Sequence, residues 1–224
     1  MTNKPDPALA AARYRELSAN YDHATRRAAS VRARAVAALD LRPGDVVLDV
    51  ACGTGACFPY LEERIGSSGR IIGVELSSDM LDLACKRVNA AGWKNILLIQ
   101  AAMESAKIPA WDAALFHYTQ DVLRSPAALA NIFASAKDAA RVALAGTKLF
   151  PWWLSPLNLY VRIANRNYMT TTEDLGRPWS LLQSEYIPDL SVRQVWMGAS
   201  YIAQGVYRRS RARSDSPTSD NPSS

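Results

Sequence analysis

Short apolar runs alternate with amphipathic segments along most of the chain. The run "VVLDV" at residues 46–50 is continuous and β-branched, as expected of a strand buried on both faces. Comparable runs predict four more strands, at residues 71–75, 95–101, 112–118 and 141–150. The intervening segments predict helices at residues 58–65, 77–92 and 125–140. This alternation predicts an α/β fold with a mostly parallel sheet and helices on both faces.

The two ends of the chain depart from this alternation. Residues 1–40 predict an N-terminal cap of two helices, "PALAAARYRELSA" and "ATRRAASVRARAVAALD". An insert at residues 151–188 shows no clean strand, and "LSVRQVWMG" and "YIAQGVYRR" then predict an antiparallel pair at one sheet edge. Residues 209–224 are rich in Ser, Pro and Asp, a composition typical of disorder. We therefore expect a cap (1–40), a core domain (41–208) and a disordered tail.

Composition narrows the classes of function. The 224 residues are 49% hydrophobic, with no membrane-length apolar run and no signal-peptide core at the start, so we expect a cytoplasmic protein. Three scattered cysteines predict neither disulfides nor a metal site. The net charge of +5 comes from arginine clusters without interleaved aromatic residues, so we do not expect nucleic-acid binding. The second predicted helix, with Arg26, Arg27, Arg32 and Arg34, is interpreted as a solvated basic face, with an anionic membrane surface as the alternative.

The stretch "LDVACGTGACF" at residues 48–58 carries the main functional signal. A strand followed by a glycine-rich turn and a helix directs backbone N–H groups at a ligand. A dinucleotide site requires G-x-G-x-x-G, but here Gly53 and Gly55 are followed by Phe58. Glu75, at the end of the second strand, is placed to accept two ribose hydroxyls, a feature that fits NAD and S-adenosylmethionine equally.

With Asp49, the turn reads D-x-x-x-G-x-G and resembles the first motif of class I S-adenosylmethionine-dependent methyltransferases. The resemblance implies a Rossmann-like seven-stranded sheet and S-adenosylmethionine as the cofactor. It also implies that the acid favours the cofactor's ammonium and that the turn holds its methionine end, through Ala51, Cys52, Gly53, Thr54 and Gly55.

The resemblance extends over about residues 20 to 150. "GVELSSDML" is similar to the second motif, which implies that Leu76 packs on the adenine with Met80 close by. "AAMESAKIPAWDAALF" is similar to the third, where Ala102 replaces the usual acid; Met103, Glu104 and Phe116 are the remaining cofactor candidates there. "YDHATRR" resembles the Y-D segment of the quinone-biosynthesis and phosphatidylethanolamine N-methyltransferase branches, which implies that Tyr21 lies against the cofactor.

Substrate should enter at the carboxyl ends of the strands. The resemblance implies that the cap, the end of the fourth strand and the insert converge there. The candidate substrate-binding residues are Tyr14, Tyr118, Thr119, Gln120, Asp121, Trp152, Trp153, Asn158, Tyr168 and Trp179, with Arg26 as a further cap residue. The candidate bases are His117 and His23, each expected to have a pKa near working pH. For the tryptophans, the competing interpretation is that they pack the core. For Asp121, the competing interpretation is that it is an acid at the N-terminus of a helix.

The sequence therefore predicts methyl transfer to a small-molecule metabolite, aromatic or amine-bearing, by a monomer or homodimer. One alternative is a phospholipid amine N-methyltransferase at the membrane surface. Others are a non-catalytic cofactor-binding regulatory protein, motivated by Ala102, and an NAD-dependent oxidoreductase, which the missing third glycine disfavours.

Overall fold

A computed structural model describes residues 29–150, 152–155, 157–159, 175–195 and 198–209. Its strands form one seven-stranded sheet in the order β3-β2-β1-β4-β5-β7-β6. The strands are β1 (Val46–Val50), β2 (Arg70–Glu75), β3 (Ile96–Gln100), β4 (Trp111–His117), β5 (Ala136–Thr147), β6 (Ser191–Val195) and β7 (Ser200–Tyr207). The first five pair in parallel, whereas β7 runs antiparallel to both β5 and β6. The predicted sheet, including its antiparallel edge, is confirmed.

Helices cover both faces of the sheet, as predicted. They are α1 (Ala29–Ala38), α2 (Phe58–Ile65), α3 (Ser78–Ala91), α4 (Gln120–Leu123), α5 (Pro126–Ala134) and α6 (Ser180–Glu185), with a 3₁₀ turn at Trp152–Leu154. Serine side chains cap two of them: Ser77 accepts from the Met80 N–H at the start of α3, and Ser125 accepts from the Ala128 N–H at the start of α5.

Two apolar cores lie on opposite faces of the sheet. One packs α5 and α6 against β4, β5 and β7 around Trp111, Phe116 and Tyr201. The other packs α1, α2 and α3 against β1, β2 and β4 around Phe58 and Leu115. Alternate residues of each buried strand pack into opposite cores. Both cores therefore fix the strand ends, and with them the residues that follow each strand.

The helix predicted at residues 125–140 is wrong beyond residue 134. The chain turns at Ser135, and β5 begins at Ala136, which pairs with Trp111. Lys137 forms an ion pair with Asp112 of β4 at 2.8 Å, and the ladder shifts register across this stretch, where Ala139 has a φ of 58°. Helix propensity is a weak determinant of structure even for alanine, the strongest helix former, so pairing with a neighbouring strand overrides it here.

Several predictions fall outside the described residues. The first helix of the cap and the whole tail lie there, and of the second cap helix only α1 is described. Among the described residues, no helix combines the length and apolarity that crossing a bilayer requires. The same part of the chain holds no group of three His, Cys, Asp or Glu side chains placed to bind a metal.

Candidate functional site

The glycine turn leaves β1 through three residues with left-handed backbone. Ala51 has a φ of 49°, Gly53 of 56° and Gly55 of 69°. The turn is closed by hydrogen bonds from the Gly55 N–H to the Cys52 carbonyl and from the Phe58 N–H to the Gly55 carbonyl, both 3.0 Å. Arg87 of α3 fixes it from outside by donating Nε–H to the Thr54 carbonyl at 2.9 Å. The turn is therefore held rigidly between β1 and α2.

The two glycines of the turn have different surroundings. A Cβ on Gly55 would lie 2.4 Å from the ring of Phe58, which fills the space beneath the turn. A Cβ on Gly53 would meet nothing within 4 Å. Gly55 thus serves internal packing, and Gly53 leaves space on the side from which a ligand can approach.

Glu75 joins the end of β2 to this turn. Its Oε2 accepts a hydrogen bond from the Gly53 N–H at 3.0 Å, and its Oε1 accepts one from the Ser77 N–H at 2.8 Å. Burial raises the pKa of Glu75, and these backbone hydrogen bonds oppose the rise. The Leu76 N–H is a third backbone donor to this carboxylate, which leaves acceptor capacity for one further hydrogen bond.

Asp49, on β1, is almost completely buried at 1% exposure. Its Oδ2 has no hydrogen-bond partner among the residues that the structure describes. Burial raises the pKa of Asp49 to about 7; the nearby charge of Arg32 lowers it and that of Glu75 raises it further. Two carboxyl groups therefore face the start of the turn, and one has an unused acceptor atom.

The interpretation of α1 as a solvated basic helix is wrong at Arg32, because this side chain is buried. It is 8% exposed and shares the buried stripe of Ala35, Val36 and Leu39, whereas Arg34 faces solvent. Its guanidinium hydrogen-bonds the Cys57 thiol, and its Nε has no partner in the described ranges. The spacing to residues 35, 36 and 39 was the sequence signal that could have identified it.

His117 lies at the end of β4, as predicted, but the expectation of a pKa near working pH is wrong. Burial, with a smaller effect from the charge of Arg32, lowers the pKa of His117 to about 3. Its Nε2 is buried without a partner in the described part of the chain, and its ring meets Tyr118 edge to face at 4.8 Å. The imidazole is neutral at ordinary assay pH and is a weak base.

The residues after His117 form the rest of this edge. Tyr118 has a φ of 60°, which is rare for a bulky side chain; its N–H donates to the Ala145 carbonyl at 2.7 Å and its hydroxyl is hydrogen-bonded to Ser200. Thr119 and Gln120 are buried, and Gln120 donates Nε2–H to the Thr147 carbonyl at 3.2 Å. Asp121 is partly buried in the first turn of α4. These contacts place the ends of β4 and β5 side by side.

The other cofactor candidates divide into core residues and rim residues. Met80, Met103 and Phe116 are buried, with 5% exposure or less, and so support the site from behind. Leu76 and Ala102 are partly buried. Glu104 is exposed and accepts a hydrogen bond from the Ser125 hydroxyl at 2.8 Å.

The insert residues are placed differently from one another. Trp179 is buried against Tyr201 with ring centroids 4.7 Å apart, so it packs the core. Trp153 is 61% exposed, and the Asn158 amide holds the backbone of Phe150 through two hydrogen bonds of 2.7 and 3.3 Å. Candidates that lie outside the described residues are Tyr14, Tyr21, His23, Arg26 and Tyr168, together with the side chain of Trp152.

Comparison with known sequences places the turn in a described family. Residues 47–141 match the family "Methyltransferase domain". The chain is 40% identical over 65 residues to a demethylmenaquinone methyltransferase of Symbiobacterium thermophilum, and 36% identical over 67 residues to the aklanonic acid methyltransferase DauC of a Streptomyces species. These alignments cover 29% and 30% of this chain but only 26% and 30% of those proteins.

Solved structures share the fold over most of the chain. A geranyl diphosphate C-methyltransferase of Streptomyces coelicolor, solved with S-adenosylhomocysteine, has a TM-score of 0.63 at 14% identity, covering 82% of this chain and 80% of that one. A SAM-dependent methyltransferase of Aquifex aeolicus has a TM-score of 0.51 at 23% identity, covering 75% and 84%. The strand order and the fold of these structures agree with the match of residues 47–141 to the methyltransferase domain family.

Proposed function

We propose that the protein transfers the methyl group of S-adenosylmethionine to a small-molecule acceptor and releases S-adenosylhomocysteine. The observation that carries the proposal is the link between Glu75 and Gly53 beside the buried Asp49. It places two carboxyl groups at a turn whose open side is lined by Gly53. The matched domain and the curated relatives support the same reaction.

The charges at the turn favour S-adenosylmethionine over a dinucleotide. A pyrophosphate carries two negative charges, and the ionised form of the buried Asp49 carboxyl would repel them. An ammonium and a sulfonium are instead attracted by that carboxylate. The ring of Phe58 beneath Gly55 also occupies the place where a dinucleotide turn has its third glycine.

The residues present fit this cofactor. Asp49 has an unpartnered oxygen for the ammonium, and Glu75 retains acceptor capacity for a ribose hydroxyl. Backbone groups of residues 51–55 would hold the methionine end, and Leu76 the adenine. When bound, S-adenosylmethionine supplies a methyl group already activated on a sulfonium.

The contribution of the protein is then mainly positioning. Holding acceptor and methyl donor in line accounts for a large part of the rate of such a transfer. Tyr118, Thr119 and Gln120, rigid at the ends of β4 and β5, are the candidates for orienting the acceptor. His117, with a pKa of about 3, is better suited to accept a hydrogen bond than to remove a proton.

The rim of the site supports an acceptor with a large apolar part. Trp153, Leu157 and Leu159 follow the carboxyl end of β5 and are 61%, 45% and 66% exposed. The curated relatives are named for demethylmenaquinone, aklanonic acid and 2-phytyl-1,4-naphthoquinone. We therefore propose a ring-bearing, lipophilic metabolite as the acceptor.

The test is a screen for methyl transfer from labelled S-adenosylmethionine to a panel of quinols, phenols and lipid amines. Glu75→Gln serves as the inactive control and Glu63→Gln, an exposed acid of α2, as the neutral one. Transfer to a ring acceptor that requires Glu75 supports the proposal. Tight cofactor binding without transfer to any class of nucleophile would contradict it and favour a non-catalytic cofactor-binding protein.

A further inference from the structure

Lys148, just past the end of β5, carries a buried charge that is not neutralised by a carboxylate of the described residues. The residue is 5% exposed. Its Nζ donates to the Leu149 carbonyl at 3.0 Å and to the Gly198 carbonyl at 3.4 Å. It forms no ion pair within the described part of the chain, and burial alone lowers the pKa of its ammonium. A buried ammonium without a counter-ion is costly, so its surroundings favour an anion.

The neighbours of Lys148 place it beside the proposed acceptor site. Its N–H donates to the Ala199 carbonyl at 2.9 Å, so the ladder between β5 and β7 continues one residue past Thr147. The Thr147 carbonyl accepts from the side-chain amide of Gln120, on the chain that leaves β4. Only β4 separates β5 from β1, so Lys148 lies about 10 Å to one side of the strand that carries the glycine turn. An acceptor held between the turn and the end of β5 could therefore reach the ammonium.

A second buried donor faces the same side of the sheet. The hydroxyl of Tyr201, on β7, is fully buried and has no hydrogen-bond partner in the described ranges. A Cβ on Gly146 would lie 3.3 Å from this hydroxyl and 2.6 Å from Nε2 of Gln120, so the glycine allows both groups to approach β5. Side chains alternate along a strand, so Lys148, two residues after Gly146, belongs to the same face. The ammonium keeps one N–H and the hydroxyl its O–H for a further acceptor on this face.

We propose that Lys148 binds an anionic oxygen of the methyl acceptor, a carboxylate or a phenolate on its ring. An oxyanion supplies both the missing counter-charge and an acceptor for the unused N–H of the ammonium. The hydrogen bonds from Nζ to two carbonyls favour the charged form of the amine and oppose the effect of burial. Lys148 is thus a specificity-determining residue rather than a general base. The inference rests on the proposed function, because it selects the substrate class of the same site.

The competing role for Lys148 is structural: an ammonium that ties the end of β5 to the loop before β7 through the Leu149 and Gly198 carbonyls. Ring probes of similar shape and different charge separate the two roles. 2-Naphthoate is an anion, and 2-naphthamide is its neutral isostere. 4-Nitrophenol, titrated below and above the pH at which it ionises, supplies the phenolate. A change in structure alters the affinity for charged and neutral probes alike, whereas loss of an anion contact alters only that for the charged ones.

The experiment is calorimetric titration of these probes into the full chain, with and without saturating S-adenosylhomocysteine. The unaltered protein should bind 2-naphthoate about 10-fold or more tightly than 2-naphthamide, as expected for one charge-assisted hydrogen bond. Lys148→Met should remove most of this preference and change the affinity for 2-naphthamide less than about 2-fold. Lys137→Met, which replaces an exposed lysine at the other end of β5, is the matched control and should keep the preference.

The preference of the unaltered protein tests the inference even if Lys148→Met does not fold. A preference for 2-naphthoate alone assigns a carboxylate, and one for ionised 4-nitrophenol alone assigns a phenolate. Equal affinity for charged and neutral probes, or no binding of either charged probe, would overturn the inference, as would a preference that survives Lys148→Met. Failure of S-adenosylhomocysteine to bind in its own titration would overturn the proposed function, and the inference with it.

Discussion

The carboxylate of Glu75 and the backbone N–H of Gly53 meet at 3.0 Å, although 22 residues separate them in the sequence. This hydrogen bond ties the carboxyl end of β2 to the turn that leaves β1. The second oxygen of Glu75 accepts from the Ser77 N–H and so fixes the chain as it enters α3. One side chain therefore organises both the turn and the neighbouring strand end.

Glu75→Gln should weaken the affinity for S-adenosylhomocysteine about 10-fold or more and lower the stability of the unliganded protein. A glutamine amide offers one oxygen in place of two, so either the Gly53 or the Ser77 N–H loses its acceptor, at a cost of about 1–3 kcal/mol. Calorimetric titration and urea unfolding measure the two effects. Glu63→Gln is the control, and equal behaviour of the two variants would refute the role of Glu75.

Asp49→Asn should stabilise the unliganded protein increasingly as pH rises from about 4 to about 7. The folded pKa of Asp49, about 7, lies above its ordinary value of 3.8. Within this window the unfolded chain releases the proton while the folded chain keeps it, so rising pH favours unfolding of the unaltered protein, by up to about 4 kcal/mol in total.

The difference in unfolding free energy between Asp49→Asn and the unaltered protein, measured in urea at pH 5, 6, 7 and 8, isolates this effect. Contributions of His117 and Glu75 are common to both proteins and largely cancel. The difference should grow up to about pH 7 and then level off. A difference that is flat from pH 5 to 8 would show that Asp49 is ionised throughout.

His117 should remain neutral from pH 5 to 8. Its pKa of about 3 reflects burial at the end of β4, where desolvation disfavours the imidazolium. The chain has two histidines, so ring-proton NMR resolves both, and His117→Gln assigns the signal. No chemical-shift titration of that signal is expected in this range, whereas a midpoint near 6.5 would restore His117 as a candidate general base.

Alanine substitution should act differently at the two turn glycines: at Gly55 it should mainly lower stability, and at Gly53 it should mainly lower the affinity for S-adenosylhomocysteine. Gly55→Ala should unfold the protein at markedly lower urea, because its methyl group would lie 2.4 Å from the ring of Phe58 in a backbone of positive φ. Gly53→Ala meets open space and should cost only the backbone strain, about 1–2 kcal/mol, while weakening S-adenosylhomocysteine strongly.

Adding Phe58→Leu to Gly55→Ala supplies the internal check on this packing argument. The smaller side chain relieves the clash, so the double variant should recover part of the stability lost by Gly55→Ala. If the double variant is instead less stable by the sum of the two single changes, the contact between Gly55 and Phe58 is not the cause.

The sequence predicted the sheet because its strands are buried on both faces and read as continuous apolar runs, as in "VVLDV". It failed at residues 135–140, where "SAKDAA" has helical composition. There the deciding interactions are with β4, through the pairing of Ala136 with Trp111 and of Lys137 with Asp112. Those partners are more than 20 residues away and leave no local signal.

The candidate site was likewise predictable from the sequence only in part. The positions of Asp49 and Glu75 beside the glycine turn could be predicted, because each is fixed relative to a strand end and the turn. Arg32 was assigned to solvent with its neighbouring arginines, although its spacing to Ala35, Val36 and Leu39 puts it on the buried face. The pKa of His117 could not be predicted, because it depends on burial beneath elements distant in sequence.

The measurement that most directly tests the central claim is calorimetric titration of the unaltered protein with S-adenosylhomocysteine and, separately, with NAD. The geometry of Asp49, Gly53 and Glu75 predicts micromolar binding of S-adenosylhomocysteine and no detectable binding of NAD. Binding of NAD without S-adenosylhomocysteine would contradict the assignment of the turn and the function built on it.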